Sequence, residues 1–270
     1  MNLLSEYKTK TIFVNKFLKY KGNEKIKINS ERVFASIPIE FGVVGEYKNI
    51  NKYEKILTES ENGEDGVLDY IFKKIGTFNK YYVEFGAWDG KAGSNSHYFR
   101  EKLNWNGLLM EGDIKKVLSI DKTERDIINL QHEWITYDNI NDLFIKYNVP
   151  YKFDLLSIDI DSYDYYVWKF LNYEPNVVIV ETHPGLPNDV PLGIIKEKSS
   201  IISMGYFGAN LLAFYKLAKK KGYMFITTVR WNAIFVKKEL FNKLEMEEIS
   251  ENECIDKYFK PNNTNIMLVY

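Results

Sequence analysis

The spacing of apolar residues separates the chain into two parts. Residues 1–58 hold short apolar runs among lysines without a sustained period, so we predict an N-terminal extension or accessory segment there. From residue 60 the pattern becomes regular. Apolar residues recur at helical spacing at Val67, Leu68, Ile71, Phe72 and Ile75. We predict a helix here, with Asp65 as its N-cap and Gly76 just beyond its end.

Short apolar runs then alternate with further helical patterns. Strands are predicted at residues 81–85, 107–110, within 127–135, and at 154–158, 177–180, 223–229 and 233–236, with helices near 140–147, 165–171 and 211–218. This alternation predicts an α/β fold, a doubly wound, Rossmann-like sheet that is mostly parallel with right-handed crossovers. The last two strands are close enough for an antiparallel hairpin, which we expect at the C-terminal edge of the sheet.

Composition narrows the class of protein. Lys and Arg number 36 against 37 Asp and Glu in 270 residues, which excludes a basic protein whose nucleic-acid affinity rests on counterion release. One cysteine, Cys254, excludes an internal disulfide framework and a Cys-based zinc site. No apolar run reaches the roughly 18–20 residues of a membrane helix, and the first residues lack a secretory signal pattern. We expect a cytoplasmic protein.

Polar and glycine residues follow the predicted strands. In a doubly wound sheet, ligands bind at the carboxyl ends of the strands. Glu84 leads into a turn, Gly86–Gly90, that contains Asp89. The acids would repel a pyrophosphate and suit a cationic ligand such as S-adenosylmethionine, which carries a sulfonium and an ammonium group. Glu111 closes the next strand, about 25 residues further on, where a carboxylate can accept both ribose hydroxyls.

Five blocks of sequence carry a resemblance to a known family. They are residues 62–66, 84–90, 105–113, 154–161, and 221–223 together with 232–236. In this order and spacing the chain resembles the class I S-adenosylmethionine-dependent methyltransferases, and among them the FkbM-type group. The resemblance implies a methyltransferase domain over residues 59–270 and transfer to a sugar hydroxyl, on a surface polysaccharide or a nucleotide-activated precursor.

The resemblance also implies roles for individual residues. Glu84 and Asp89 would hold the amino-acid part of the cofactor, Glu111 the ribose, and Asp159 the methionine end. The cofactor-binding set is completed by Gly86, Gly90 and Asp138, the last in a segment, residues 136–139, expected to border the adenine. The chain departs from the family pattern at Asp161–Asp164 and at Glu181–Pro184, both on the acceptor side.

The acceptor side holds a second group of acids. Asp159 and Asp161 flank Ile160, so in an extended segment both carboxylates face one side. Such a pair is tolerated if it binds a cation, shares a proton or accepts from donors. Some sugar O-methyltransferases hold a divalent metal at this place, and the resemblance makes Asp159, Asp161 and Glu181 a candidate Mg or Mn site. The alternative is that Asp161 and Asp164 merely cap the following helix.

His183 is our candidate general base, because it follows the fifth strand and histidine titrates near neutral pH. Asp159 is the second candidate catalytic residue. A nicotinamide-dependent oxidoreductase is one alternative function, although the turn lacks Gly-x-Gly-x-x-Gly. A non-catalytic partner in glycan assembly is another. We expect a small-molecule or glycan acceptor and no nucleic acid, while the sequence leaves the oligomeric state open.

Overall fold

Strands and helices alternate along the chain as the sequence pattern predicts. The computed structural model describes residues 50, 59–161, 163–183 and 208–258, so the predicted N-terminal segment lies outside the described residues except for Ile50. The strands are β1 (Tyr81–Phe85), β2 (Asn106–Glu111), β3 (Leu130–His132), β4 (Lys152–Ile158), β5 (Glu174–Glu181), β6 (Tyr223–Val229) and β7 (Asn232–Lys237). The helices are α1 (Glu64–Ile75), α2 (His97–Leu103), α3 (Ile114–Leu118), α4 (Lys122–Ile128), α5 (Ile140–Lys146), α6 (Asp164–Phe170), α7 (Leu211–Lys221), α8 (Lys238–Phe241) and α9 (Glu251–Tyr258), with a 3-10 turn at Asn242–Leu244.

The strands form one mixed sheet in the order β3-β2-β1-β4-β5-β7-β6. Strands β1 to β5 pair in parallel, whereas β7 runs antiparallel to both β5 and β6. The predicted fold class and its C-terminal hairpin are therefore confirmed, with β7 as the antiparallel strand and β6 at the edge. The chain order reverses between β1 and β4, and a ligand crevice is expected at the carboxyl ends of these two strands.

The core lies on both faces of the sheet, because successive side chains of a strand point to opposite faces. Leu155 of β4 and Val177 of β5 pack with α1 and α2, whereas Leu156 and Val178, the next residue in each strand, pack with α5, α6 and α7. Burial on both faces explains why the central strands read as continuous apolar runs. Within the described ranges, no helix is long and apolar enough to cross a membrane.

The start of α1 corrects one prediction. The N-cap is Gly63, with φ 90°, and the helix begins at Glu64, so the expectation that Asp65 caps the helix is wrong. Asp65 is instead fully buried in the first turn. The preceding chain folds back onto it, because Ser60 Oγ donates to Asp65 Oδ1 (2.7 Å) and accepts from the Asp65 main-chain N–H (3.1 Å). Glu64 and Asp65 thus fix the approach to the helix.

Candidate active site at the carboxyl edge of the sheet

The turn after β1 is shaped by two glycines that the sequence identified. Gly86 has φ +64°, and a Cβ placed on it would lie 1.7 Å from the main-chain oxygen of Asp159. Gly90 has φ +69°, and its Cβ would lie 2.5 Å from Leu109 Cδ1. Both positions combine a left-handed backbone with close contact, which only glycine accepts without strain. The turn is therefore pressed directly against the end of β4.

Glu111 connects this turn to the end of β2. Its buried carboxylate accepts the main-chain N–H of Trp88 at Oε2 (2.9 Å) and that of Asp113 at Oε1 (2.8 Å). Each carboxylate oxygen has two lone pairs, so each keeps one for a ligand. Asp113 itself caps α3 by accepting the main-chain N–H of Lys115 (2.8 Å). The geometry suits the predicted role of Glu111 as the acceptor of two hydroxyls.

Glu84 lies buried on β1 and organises the loop before α2. Its Oε1 accepts the main-chain N–H of Asn95 (2.8 Å), and its Oε2 accepts Ser94 Oγ (2.7 Å), the Ser96 main-chain N–H (3.2 Å) and, in a short bond, Ser96 Oγ. These four bonds make Glu84 the anchor of residues 94–96, a function that the sequence analysis did not identify. Direct contact between Glu84 and a cofactor stays a prediction.

The other two predicted acids of the cofactor side lie further out. Asp89 accepts the main-chain N–H groups of Lys91 and Ala92 at Oδ1, each at 2.8 Å, so it stabilises the turn that contains it. Asp138 is exposed in the turn between β3 and α5. Their predicted contacts with the cofactor remain predictions.

Three carboxylates meet where β4 and β5 end. One oxygen from each of Asp159, Asp161 and Glu181 lies within 4.8 Å of the other two, and we call these residues the carboxylate trio. These are the three residues predicted from the sequence as a candidate metal site. Carboxylate oxygens are the ligands that Mg and Mn prefer, so the donor set fits a divalent cation of this kind. Asp161 reaches its place through a left-handed backbone, with φ +52°.

Burial and mutual repulsion shift the titration of the trio. Burial, with the nearby charges of Asp164 and Asp161, raises the pKa of Asp159 to about 8. Burial, with Asp159 as the nearest charge, raises the pKa of Glu181 to about 9. Both shifts follow because a desolvated carboxylate beside other carboxylates is unfavourable in its charged form. At neutral pH the trio therefore holds protons that a bound cation would replace.

The start of α6 tests the alternative interpretation, in which Asp161 and Asp164 cap this helix. The N-cap of α6 is Tyr163, so Asp161 does not occupy the capping position. Asp164, in the first turn, accepts the main-chain N–H of Ile160 (2.8 Å) and so holds the segment between the trio and the helix. Asp161 is left exposed and turned toward Asp159 and Glu181.

The end of β5, which carries Glu181 of the trio, is held in place by contacts with β7. Glu181 lies opposite Asn232 in the ladder, and Asn232 Nδ2 donates to the buried Glu64 Oε1 (2.9 Å). Thr182 donates twice to the Trp231 carbonyl, through its main-chain N–H (2.8 Å) and its hydroxyl (2.6 Å). These contacts tie the end of β5 to α1 through β7. This role of Glu64 and Thr182 was not predicted from the sequence.

His183 follows at the same edge, two residues beyond Glu181. Its main-chain N–H donates to the carbonyl of Ala209 (2.8 Å), and its side chain is partly exposed. The structure thus brings the candidate base to the strand end that carries Glu181. Its role as a base stays a prediction.

Two exposed tryptophans lie near Glu111. Trp88, two residues after Gly86 in the β1 turn, is 54% exposed, and Lys116 Nζ lies 5.0 Å from its ring centroid. Trp134 is 74% exposed and lies over Gly112, where an added Cβ would come 3.0 Å from the indole. Exposed rings beside a strand end offer flat surfaces for a planar ligand. Their exposure depends on tertiary placement, which the sequence pattern does not show.

Comparison with known proteins finds similarity at the level of structure. No protein-family model and no curated protein matches the sequence significantly. Among solved structures, an O-methyltransferase from Bacillus cereus in complex with SAH is 13% identical, with 72% of this chain and 93% of that chain covered and a TM-score of 0.39. The N-terminal domain of EvdMO1, crystallised in the presence of SAH and D-fucose, is 9% identical, with 64% and 82% covered and a TM-score of 0.40.

A third similar structure is the O-methyltransferase NcsB1 from neocarzinostatin biosynthesis, in complex with SAH and 1,4-dihydroxy-2-naphthoic acid. It is 10% identical, with 65% of this chain and 57% of that chain covered and a TM-score of 0.37. At these identities and scores, the similar structures assign neither a substrate nor an activity to this chain. What is shown is the fold, a Rossmann-like, mostly parallel sheet of seven strands.

Proposed function

We propose that this chain is an S-adenosylmethionine-dependent O-methyltransferase that acts on a hydroxyl of a sugar. One observation carries the proposal: the glycine turn after β1 touches the main chain of Asp159, whose side chain belongs to the carboxylate trio. A site for a cationic methyl donor and a site for a hydroxylated acceptor would therefore adjoin. Reaction between two bound molecules requires such proximity, because alignment supplies much of the rate enhancement.

The donor side combines a carboxylate with apolar surfaces. Glu111 retains acceptor capacity for the two ribose hydroxyls, and Trp88 and Ile114, both exposed near it, offer apolar contact for the adenine. When bound, S-adenosylmethionine supplies a methyl group activated by its sulfonium charge. The acidic character of this edge suits that charge, since opposite charges attract strongly in a partly desolvated site.

The acceptor side provides groups that orient a hydroxyl and take its proton. His183, beside the end of β5, is the proposed proton acceptor, because imidazole is half neutral near pH 6.5. The carboxylate trio is the proposed metal-binding set. A divalent cation bound there would supply Lewis acidity and lower the pKa of a coordinated hydroxyl. Asp159 would contribute its carboxylate to the metal-binding set, and its main chain would lie against the turn that binds the methyl donor.

The proposed acceptor is a sugar that offers two neighbouring hydroxyls. An oxygen-rich trio fits a cation that a vicinal diol can chelate, and the FkbM-type resemblance favours a glycan or a nucleotide-activated precursor. A nicotinamide cofactor fits less well, because Glu84, Asp89 and Glu111 surround the turn where a pyrophosphate would lie.

Binding and turnover test the proposal in sequence. Calorimetric titration with S-adenosylhomocysteine is expected to give a Kd in the micromolar range, whereas NADH is expected not to bind. Absence of S-adenosylhomocysteine binding at tens of micromolar would refute the proposal, and NADH binding would favour an oxidoreductase. Transfer of a labelled methyl group to a panel of nucleotide sugars, with manganese or with EDTA, then tests the acceptor class and the metal. A protein that binds the cofactor but transfers to no hydroxylated acceptor would contradict the enzymatic assignment.

A further inference from the structure

A cavity of about 700 Å³ opens at the amino edge of the sheet, where β5 and β6 begin and β7 ends. Its lining includes Tyr151, Tyr173, Lys221, Lys237 and Lys238, together with two acids, Glu174 and Glu239. Seven residue steps along β5 separate this edge from Glu181, which at about 3.3 Å per residue is roughly 23 Å. The cavity is therefore remote from the carboxylate trio and is not used by the proposed reaction. Its volume is in the range of small-molecule sites.

Two lysines of this lining have no carboxylate to neutralise them. Lys221 Nζ donates to the main-chain carbonyl of Leu171 (2.9 Å), and in the described part of the chain no carboxylate lies within ion-pair distance of it or of Lys238. The two acids of the lining are instead paired with the third lysine, because Lys237 Nζ lies 2.8 Å from Glu174 and 4.0 Å from Glu239. Burial lowers the pKa of Lys221, as expected for an ammonium group without a counter-charge. An anionic ligand would supply that charge.

The same cavity presents an aromatic surface held in a fixed orientation. The rings of Tyr151 and Tyr173 lie 5.8 Å apart between centroids with a 42° interplanar angle. The Tyr151 hydroxyl donates to Glu174 Oε1 (3.1 Å), while the residue stays 56% exposed. A ring tethered at its hydroxyl and open to solvent on its surface is suited to stacking with another ring.

We propose that this cavity binds a nucleoside diphosphate, with the phosphates at Lys221 and Lys238 and the base against Tyr151. Lysine binds phosphate as a compact point charge, and a base stacks on tyrosine with little dependence on its identity. The two features select a ligand that is anionic at one end and aromatic at the other. Because the site lies at the amino edge, a ligand bound there is too far from the candidate active site to present a hydroxyl for methylation. The cavity would therefore anchor a ligand or regulate the protein. The proposal is independent of the proposed function.

Calorimetric titration of the full chain with uridine diphosphate tests this site. Wild type is expected to bind, the Lys221→Gln/Lys238→Gln double variant at least tenfold more weakly, and Tyr151→Leu several-fold more weakly. Lys115→Gln, an exposed lysine at the carboxyl edge, is the matched control and should bind as wild type does. Inorganic diphosphate should bind more weakly than uridine diphosphate, and uridine should not bind measurably.

Three results would overturn the proposal. They are no binding of uridine diphosphate to wild type at millimolar concentration, unchanged binding by the double variant, and equal affinity for diphosphate and uridine diphosphate. Since Lys221 is partly buried, Lys238→Gln alone serves as the variant that keeps the fold, and it too must weaken binding. Glu111→Gln should bind uridine diphosphate normally, because Glu111 lies at the other edge of the sheet. Loss of binding there would place the ligand in the candidate active site and contradict the proposal.

Discussion

Gly86 lies against the main-chain carbonyl of Asp159, so close that a single added carbon would overlap it at 1.7 Å. This contact joins the turn after β1 to the end of β4 at the point where the strand order reverses. It also places the proposed cofactor turn beside the carboxylate trio. One main-chain contact therefore joins the proposed cofactor side of the candidate site to its proposed acceptor side.

Gly86→Ala should consequently destabilise the candidate site by more than the cost of placing alanine in a left-handed backbone. The methyl group would force β1 and β4 apart at their carboxyl ends, and we expect loss of S-adenosylhomocysteine binding with a lower melting temperature. Gly222→Ala is the matched control, because Gly222 has a left-handed backbone (φ 80°, ψ 31°) but no atom lies within 4 Å of an added Cβ. That control should cost only about 1–2 kcal/mol. Equal effects of the two substitutions would contradict the importance of the contact.

Glu111→Gln should weaken S-adenosylhomocysteine binding by roughly 10- to 100-fold. Hydrogen bonds to a charged group are worth about 1.5–3 kcal/mol, and the amide also brings a donor next to the main-chain N–H groups of Trp88 and Asp113. The measurement is a calorimetric Kd. Asp113→Asn is the control two residues away, since asparagine caps a helix about as well as aspartate. An unchanged Kd for Glu111→Gln would contradict the proposal that Glu111 binds the ribose.

The sequence located each strand of the described sheet, although β5 begins at Glu174, three residues before its predicted start. Strands β1 and β6 have the predicted bounds, 81–85 and 223–229. Helices α2, α3 and α4 were not predicted, because each buries a single residue and so shows no apolar period, whereas α5, of similar length, buries three residues and was predicted. The N-cap prediction for Asp65 was wrong because the sequence does not distinguish a capping aspartate from an aspartate buried in the first turn.

The candidate site was only partly predictable for a related reason. Asp154 and Asp159 belong to one sequence block, yet their surroundings differ. Asp154 is fully buried and accepts main-chain N–H groups from residues 78–80, so its role is structural. Asp159 faces other carboxylates, which the alternation around Ile160 and the position of Glu181 allowed the sequence to anticipate. The partners of Glu84 could not be anticipated, because they depend on how the loop folds back.

Glu84→Gln tests whether this carboxylate acts through the loop it anchors. A buried amide facing four donors leaves at least one unsatisfied, which costs about 1–3 kcal/mol. We expect a melting temperature lower by roughly 2–4 °C for each kcal/mol and weaker S-adenosylhomocysteine binding. Ser96→Ala removes one of the four bonds to Glu84, the one from the Ser96 hydroxyl, and should reproduce both effects in milder form.

A double-mutant cycle distinguishes the loop role from direct binding. If Glu84 acts through Ser96, the effects of Glu84→Gln and Ser96→Ala on the Kd should not add. Ser119→Ala, an exposed serine that donates only to the Lys116 carbonyl, is the control and should change neither quantity. Full additivity would indicate that Glu84 touches the cofactor itself.

The stability of the metal-free protein should fall as the pH rises. Asp159 and Glu181 have folded-state pKa values raised to about 8 and about 9, above unfolded values of about 4. Between pH 4 and pH 9 the folded state therefore binds more protons than the unfolded state, and the free energy of unfolding decreases with pH. Asp159→Asn should flatten this dependence and raise the melting temperature at pH 8. Thermal unfolding in EDTA from pH 5 to 9 measures both.

Manganese should reverse the loss of stability at high pH, because a cation that binds only the folded state adds stability in proportion to the logarithm of its concentration over Kd. At pH 8 the melting temperature of wild type should rise with manganese, and that of Asp159→Asn or Glu181→Gln should not. Asp126→Asn, an exposed aspartate on α4, is the control and should respond as wild type does. If manganese still raises the melting temperature of both trio variants, the metal binds elsewhere. If manganese does not raise the melting temperature of wild type, the trio is a proton-sharing cluster and not a metal site.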